Sequence, residues 1–299
     1  MNDVSLPLQL LCDTAMLAAR EAGQYIQSTD RNTLQRQLKD VGSSAASQLV
    51  TQVDIRSEAI IRQRLQSVSQ QWDIAFVGEE SSQSTADTAS ERLHKPYYWC
   101  VDPLDGTLPF VEGNPGYAVS IALVDQSGMP LIGVVYDPVG STLMHAIKGQ
   151  GAYRDQVPIL PKNCVSTTLQ VFADASFKTH ELHDELLAAL NDCARHFGLD
   201  DVTLVFGSGA VTNACQVLDH QSACYVKLPR AEEGGGSIWD FAATACIINE
   251  VGGWVSNIHG EPLDLNRQDS TFMNHQGVVY ASNQKIARYL IAHEVLRSI

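Results

Sequence analysis

The sequence of 299 residues has few of the features that mark several large protein classes. No uninterrupted apolar run approaches the roughly 18–20 residues that a membrane-spanning helix needs, which argues against a membrane protein. The stretch from Met1 to Arg20 has no basic beginning, and Asp13 interrupts its apolar residues. We therefore expect no signal peptide and a cytoplasmic location.

Cysteine pairs at short spacing are also absent. The seven cysteines are scattered along the chain, and none belongs to a C-x-x-C pair. An odd number of cysteines without metal-ligand spacing argues against a disulfide framework and against a structural zinc site. We expect buried thiols in a reducing compartment.

Positive charge is scarce as well. Twenty Lys and Arg residues face 34 Asp and Glu residues, which gives a formal net charge of −14. A surface this acidic repels nucleic-acid polymers and anionic membranes, so we expect neither as a partner. It also repels a phosphorylated small molecule. A phosphate site would therefore need local cations, such as divalent metal ions held by carboxylates.

Apolar spacing along the chain alternates between helical and strand patterns. Helical spacing runs from Leu8 to Ser28, after Asp54 and from Ile238 to Val251. Strand-like runs include 74–77, 97–101, 117–124, 131–136, 143–147, 169–173, 202–206, 223–228 and 278–281. The polar stretch Ser81–Ser90 predicts a surface loop. The whole predicts a mixed α/β protein with an N-terminal lobe, residues 1–154, and a C-terminal lobe, residues 155–299, which together form one domain.

The most informative motif is Asp102–Thr107, which follows an apolar strand-like run. Asp102 and Asp105 are followed by Gly106 and Thr107, residue types that open a helix. Acidic residues at other strand ends and helix starts, Glu79 and Asp240, would converge with them at one edge of a sheet. Carboxylates in one pocket repel each other unless they hold a metal, and oxygen ligands favour Mg²⁺, Mn²⁺ or Ca²⁺ over zinc.

Backbone N–H groups behind Gly106 and Thr107 would suit a phosphate oxygen, because a helix begins there. The Thr107 hydroxyl could also orient a water. Asp54 stands at the start of the second helical pattern, where it is either a helix cap or an acceptor for the Thr107 hydroxyl.

Taken in order, these motifs resemble the inositol monophosphatase family of Mg²⁺-dependent, lithium-sensitive phosphatases. The segments that carry the resemblance are Val50–Asp54, Val77–Ser81, Asp102–Thr107, Gly133–Tyr136, Gly149–Ala152 and Trp239–Asp240. The resemblance covers essentially the whole chain. It implies a layered α-β-α-β-α sandwich, usually assembled as a homodimer.

The resemblance also implies two or three Mg²⁺ ions, for which Mn²⁺ could substitute. Glu79, Asp102 and the Leu104 carbonyl would bind the first ion. Asp102, Asp105 and Asp240 would bind the second, and Glu79 would help to hold a weaker third.

Catalytic and phosphate-binding roles follow from the same resemblance. Gly106 and Thr107 would bind the phosphate, and Asp105 would also contact the substrate. Thr107, supported by Asp54 and together with Glu79, would help a water to attack a small phosphorylated metabolite directly.

The substrate is less tightly constrained by the sequence. Glu233 lies seven residues before Asp240, where inositol phosphatases place a carboxylate that binds substrate hydroxyls, which favours a polyol phosphate such as inositol monophosphate. The segment Ile132–Pro138 would equally suit a 3'(2'),5'-bisphosphate nucleotidase. A fructose-1,6-bisphosphatase-type activity ranks third, and a regulatory protein that binds phosphometabolites without turnover is the alternative outside enzymes.

Overall fold

The computed structural model describes residues 6–31, 36–38, 49–84, 90–162 and 166–299. The α-helices are α1 (Leu8–Ser28), α2 (Gln52–Trp72), α3 (Glu79–Ser84), α4 (Thr107–Glu112), α5 (His183–His196), α6 (Ala210–Gln216), α7 (Ile238–Val251), α8 (Gln284–Ala292) and α9 (Glu294–Arg297). The strands are β1 (Arg36–Leu38), β2 (Leu49–Thr51), β3 (Ile74–Gly78), β4 (Tyr97–Asp105), β5 (Ala118–Asp125), β6 (Pro130–Asp137), β7 (Thr142–Ile147), β8 (Ala152–Arg154), β9 (Val157–Pro158), β10 (Thr168–Phe172), β11 (Asp201–Val205), β12 (Ala223–Lys227), β13 (Trp254–Ser256) and β14 (Val278–Ala281). Short 3₁₀ helices span Ala175–Thr179 and Val217–Asp219.

Two sheets dominate the described residues. The first has seven strands in the order β3-β4-β5-β6-β7-β8-β9, and its β3–β4 pair is parallel while the following pairs are antiparallel. The second has five strands in the order β11-β10-β12-β14-β13. In that sheet β11, β10 and β12 run parallel, and β14 is antiparallel to both neighbours. The short strands β1 and β2 form a separate antiparallel pair.

The buried residues form three cores in a structure of five layers, and the central core includes both faces of the middle layer. Helices α1 and α2 pack on the outer face of the first sheet. Helices α6 and α7 lie between the sheets, and α5 and α8 cover the far face of the second sheet. The predicted α-β-α-β-α sandwich is thus confirmed. Among the described helices, none has the length and apolar character that a membrane crossing requires.

Helix α7 shows why the central layer could be predicted. A helix between two sheets has no solvent-facing side, so its sequence must be apolar all round. Apart from Asp240, Asn249 and Glu250, every residue of α7 is buried. Strand β6 comes so close to α7 that a Cβ atom on Gly133 would lie 2.3 Å from the carbonyl oxygen of Ala243.

The bounds predicted for α1, α7 and β14 are confirmed, and β5 and β6 form an antiparallel hairpin. The six described cysteines are free and buried, as expected, while Cys164 lies outside the described residues. The surface loop predicted for Ser81–Ser90 is wrong at its beginning, because α3 extends to Ser84. The two lobes remain our proposal, with their boundary at the turn between β8 and β9.

Candidate metal and phosphate site

A β-bulge in β4 brings two carboxylates to one face of the first sheet. Asp102 pairs with Ser120 and Asp105 with Ala118, so two residues of β4 oppose one residue of β5 between these points. In a regular strand, residues three positions apart point to opposite faces, and one extra residue reverses that relation. Pro103, which cannot donate to the sheet, stands within the bulge. Asp102 and Asp105 therefore both face the layer between the sheets.

Asp240, in the first turn of α7, completes a cluster with these two side chains. Asp102, Asp105 and Asp240 each offer a carboxylate oxygen, and these atoms all lie within 4.8 Å of one another. Asp102 is 1% exposed and Asp105 is 5% exposed. A set of carboxylate oxygens with a spacing this close suits a hard divalent cation.

Burial and mutual repulsion raise the pKa of all three carboxyl groups. Burial is the largest cause for each of them, and neighbouring carboxylates add to it. The pKa of Asp240 rises to about 7, although Lys227 opposes the rise. The cluster is thus short of positive charge, which a bound divalent cation would supply.

Backbone N–H groups orient the carboxylates of the cluster. The Leu104 N–H donates to Asp102 Oδ1 at 3.0 Å. The first residues of α6, Ala210 and Val211, donate their N–H groups to the two oxygens of Asp105 at 2.9 and 3.0 Å. Because α6 follows β11 of the second sheet, the C-terminal half of the chain fixes a carboxylate of the N-terminal half. A carboxylate has about four lone-pair sites, so Asp105 can accept these hydrogen bonds and still bind a further ligand.

Glu79 lies beside this cluster, at the junction of β3 and α3. Its charge contributes to the raised pKa of Asp102 and of Asp240. The start of α3 is held by Glu58 of α2, whose carboxylate accepts hydrogen bonds from the Glu80 N–H at 2.8 Å and the Ser81 N–H at 3.1 Å. This cap explains why the helix that begins at Glu79 continues to Ser84, into the segment that the polar sequence predicted to be a loop.

Thr107 and Asp54 form the hydrogen bond that the sequence suggested. Thr107 Oγ1 lies 2.9 Å from Asp54 Oδ1 and 3.2 Å from the Leu104 carbonyl oxygen, and Asp54 is 2% exposed. Gly106 makes the tight turn before α4 possible. Its φ is +81°, and a Cβ atom there would lie 2.6 Å from the carbonyl oxygen of Gly116.

Glu233 is not one of the carboxylates that form the cluster of Asp102, Asp105 and Asp240. Glu233 is exposed, and its charge acts on the guanidinium of Arg267. Lys227, at the end of β12, instead lowers the pKa of Asp240. Its ammonium pairs with Asp174 at 2.6 Å.

Sequence reasoning missed Glu58, Asp174 and Lys227. The position of Lys227 could have indicated it, because Lys227 stands near the end of a predicted strand, as the strand-end carboxylates of the site do. Glu58 lies four residues after Asp54, on the same face of a predicted helix. Asp174 follows a predicted strand too, but nothing in the sequence shows that this strand lies next to β12.

Comparison with known proteins agrees with this architecture. Residues 8–297 match the sequence model of the inositol monophosphatase family. Inositol monophosphatase 1 of Sus scrofa is 30% identical over 264 residues, which cover 87% of each chain. The 3'(2'),5'-bisphosphate nucleotidase CysQ of Escherichia coli K12 is 29% identical over 264 residues, covering 88% of this chain and 97% of that protein.

Solved structures of SaIMPase-II extend the comparison. The structure with bound 2'AMP is 25% identical with a TM-score of 0.70, and the match covers 97% of this chain and 98% of that one. The structure with bound inositol monophosphate is also 25% identical, with a TM-score of 0.68 and coverage of 96% and 97%.

Proposed function

The chain belongs to the inositol monophosphatase family and is a phosphatase of that family, and we propose that it hydrolyses a small phosphorylated metabolite with Mg²⁺ and an activated water. The observation that carries the proposal is the cluster of Asp102, Asp105 and Asp240 within 4.8 Å. The hydrogen-bonded pair of Thr107 and Asp54 supports it. The resemblance to the family further supports a homodimer in the cytoplasm as a proposal.

We assign the metal ligands to the residues that meet at this site. Glu79, Asp102 and the Leu104 carbonyl would hold one Mg²⁺, and Asp102, Asp105 and Asp240 a second. Glu79 would also help to hold a third, and Mn²⁺ could replace Mg²⁺. Bound metal would neutralise the phosphoryl oxygens and make a nearby water more acidic.

Thr107 and Asp54 would orient the attacking water. The Thr107 hydroxyl has a single proton, and a carboxylate is a stronger acceptor than a carbonyl. Donation to Asp54 leaves the Thr107 lone pairs free to accept a hydrogen bond from a water, which would direct the oxygen of that water at the phosphorus. The backbone N–H groups at Gly106 and Thr107 would hold the phosphate, and Asp105 would also contact the substrate.

Replacing Thr107 with Val is expected to lower kcat by roughly 10²–10³-fold with little change in KM, since it removes the group that orients the water and keeps the side-chain shape. Thr107→Ser, which retains the hydroxyl, should stay within roughly tenfold of the wild type. Steady-state kinetics on both variants provides the comparison. Equal losses in Val and Ser variants would contradict this role.

Two substrate classes have specific support. SaIMPase-II has been solved with inositol monophosphate and with 2'AMP, and the curated relatives include both an inositol monophosphatase and a bisphosphate nucleotidase. The polyol proposal rests on Glu233, whose exposed carboxylate would have to turn towards the cluster to contact a bound sugar.

A parallel assay with Mg²⁺ tests the proposed reaction. It compares kcat/KM for inositol 1-phosphate, 3'-phosphoadenosine 5'-phosphate and fructose 1,6-bisphosphate, because discrimination lies in that ratio. We expect Mg²⁺-dependent phosphate release from at least one compound, and inhibition by Li⁺ at concentrations where Na⁺ has no effect. Binding without release in every case would favour the regulatory alternative.

A further inference from the structure

Lys227 occupies a fixed position at the end of β12. Its Nζ lies 2.6 Å from Asp174 Oδ2, and its side chain is 14% exposed. Asp174 in turn accepts hydrogen bonds at Oδ1 from the Tyr225 hydroxyl at 3.0 Å and from Asn213 Nδ2 at 3.1 Å. The ammonium is thus held by a carboxylate that is itself held by two further side chains.

The same ammonium lies between α7, which carries Asp240 of the carboxylate cluster, and a neighbouring cleft. On one side its Nζ lies 5.7 Å from the ring centroid of Phe241, the residue that follows Asp240 in α7. On the other side Lys227 lines a small cleft together with Asp174, Ser176, His180 and Arg230. The glycine-rich segment, residues 234–236, lies against this side. A Cβ atom on Gly235 would lie 3.4 Å from Arg230 Cδ and 3.8 Å from Lys227 Cε.

The Lys227 ammonium can bind a second anion besides Asp174. A mostly buried ammonium is costly unless it is paired, and the pairing with Asp174 meets that need. An ammonium has three N–H donors, however, and one carboxylate contact leaves donors for another anion. Among the residues that line the cleft, Lys227 and Arg230 carry positive charge and Asp174 carries negative charge, so the lining keeps an excess of positive charge in a chain whose net charge is −14.

We propose that Lys227 is a specificity-determining residue, which binds a second anionic group on the leaving part of the substrate. The preferred substrate would then be a phosphomonoester that carries a second phosphate. This inference rests on the proposed function, because it assigns the phosphate that is cleaved to the carboxylate cluster. The second phosphate could belong to a nucleoside or to a sugar, and the test separates these sources.

The test uses pairs of substrates that differ only in the second phosphate. One pair is 3'-phosphoadenosine 5'-phosphate and adenosine 3'-phosphate, and the other is fructose 1,6-bisphosphate and fructose 1-phosphate. We expect the wild-type protein to prefer the bisphosphate at least about tenfold in kcat/KM in one pair, which identifies the source. Lys227→Met should lower kcat/KM for that bisphosphate about 10- to 100-fold, the usual effect of losing a hydrogen bond to a charged group. At saturating Mg²⁺, which would keep Asp240 ionised, the value for the monophosphate should change less than about threefold.

Two further variants separate charge from structure. Lys227→Arg keeps the cation and should keep most of the preference, and Lys285→Met, which removes an exposed lysine at the start of α8, should leave all four values unchanged. The ratio within a pair is insensitive to partial unfolding, since both substrates meet the same preparation.

Equal losses for both members of the pair in Lys227→Met, or a wild-type protein without preference for the bisphosphate in either pair, would overturn the inference. These results would leave the proposed function standing. If none of the four compounds, nor inositol 1-phosphate, were hydrolysed in the presence of Mg²⁺, the proposed function itself would fail.

Discussion

Replacing Asp102 with Asn is expected to lower Mg²⁺-dependent phosphate release by about 10³-fold or more, a barrier increase of about 4 kcal/mol. Asp102 is the carboxylate that we assign to both principal metal ions, so its neutralisation removes charge from both. The change is nearly isosteric, and the Asn side-chain oxygen can still accept the hydrogen bond that the Leu104 N–H donates at 3.0 Å. The measurement is kcat/KM under saturating Mg²⁺.

The same variant should be more stable than the wild type when metal is removed. In the metal-free protein, burial and the charges of Glu79, Asp105 and Asp240 raise the pKa of Asp102, so an ionised Asp102 destabilises the fold. Thermal unfolding in EDTA should therefore show a higher Tm for Asp102→Asn, while Asp73→Asn, at a side chain that is 66% exposed, should change neither Tm nor turnover. An Asp102→Asn protein that is inactive because it is unfolded, or one that keeps full turnover, would contradict the assignment.

The metal-free protein is expected to lose stability as the pH rises from about 4 to about 7. In the unfolded chain these carboxyl groups titrate near their usual pKa of 3.8, whereas in the folded chain the pKa of Asp240 is about 7 and those of Asp102 and Asp105 are also raised. Between the two pKa values the unfolded chain has released protons that the folded chain retains, so unfolding becomes easier with increasing pH. Asp102, Asp105 and Asp240 lie close together and titrate as an interacting set, so the loss of stability belongs to the three groups jointly.

Magnesium should reverse this trend, because the proposed site would bind the cation through ionised carboxylates that only the folded state brings together. Tm measured in EDTA should fall between pH 5 and pH 7.5, and the increase in Tm caused by Mg²⁺ should grow over the same interval. The Asp240→Asn variant should show a smaller fall in EDTA. A stability difference between the EDTA and Mg²⁺ samples that is constant with pH would argue that the cluster is not the site of binding.

The part of the site that lies within local motifs could be predicted from the sequence. Asp102 and Asp105 follow an apolar strand, Asp240 opens an apolar helix, and the hydrogen bond between Thr107 and Asp54 was anticipated. The bulge was not anticipated, because strand periodicity alone ends β4 at Val101, whereas its pairing with β5 continues to Asp105. Only that register shift places both carboxylates on one face.

The contacts between distant segments could not be predicted from one sequence. The N–H groups of α6 that hold Asp105 lie 105 and 106 residues further along the chain, and no local pattern indicates such a pairing. The residues that would contact the substrate could not be predicted from one sequence either. The spacing of Glu233 from Asp240 predicts a substrate contact, but Glu233 is exposed in the structure. The end of β12 instead places Lys227 beside the cluster, a relation that depends on how the second sheet packs against α7.

We propose that Asp102, Asp105 and Asp240 together bind the metal on which phosphate release depends. The most direct test is a calorimetric Mg²⁺ titration of metal-stripped wild-type protein and of Asp102→Asn, followed by an assay of phosphate release after Mg²⁺ is restored. We predict saturable Mg²⁺ binding and recovery of turnover in the wild type, with both lost in the variant. Equal Mg²⁺ binding by the two proteins, or phosphate release that persists in the stripped wild type, would contradict the claim.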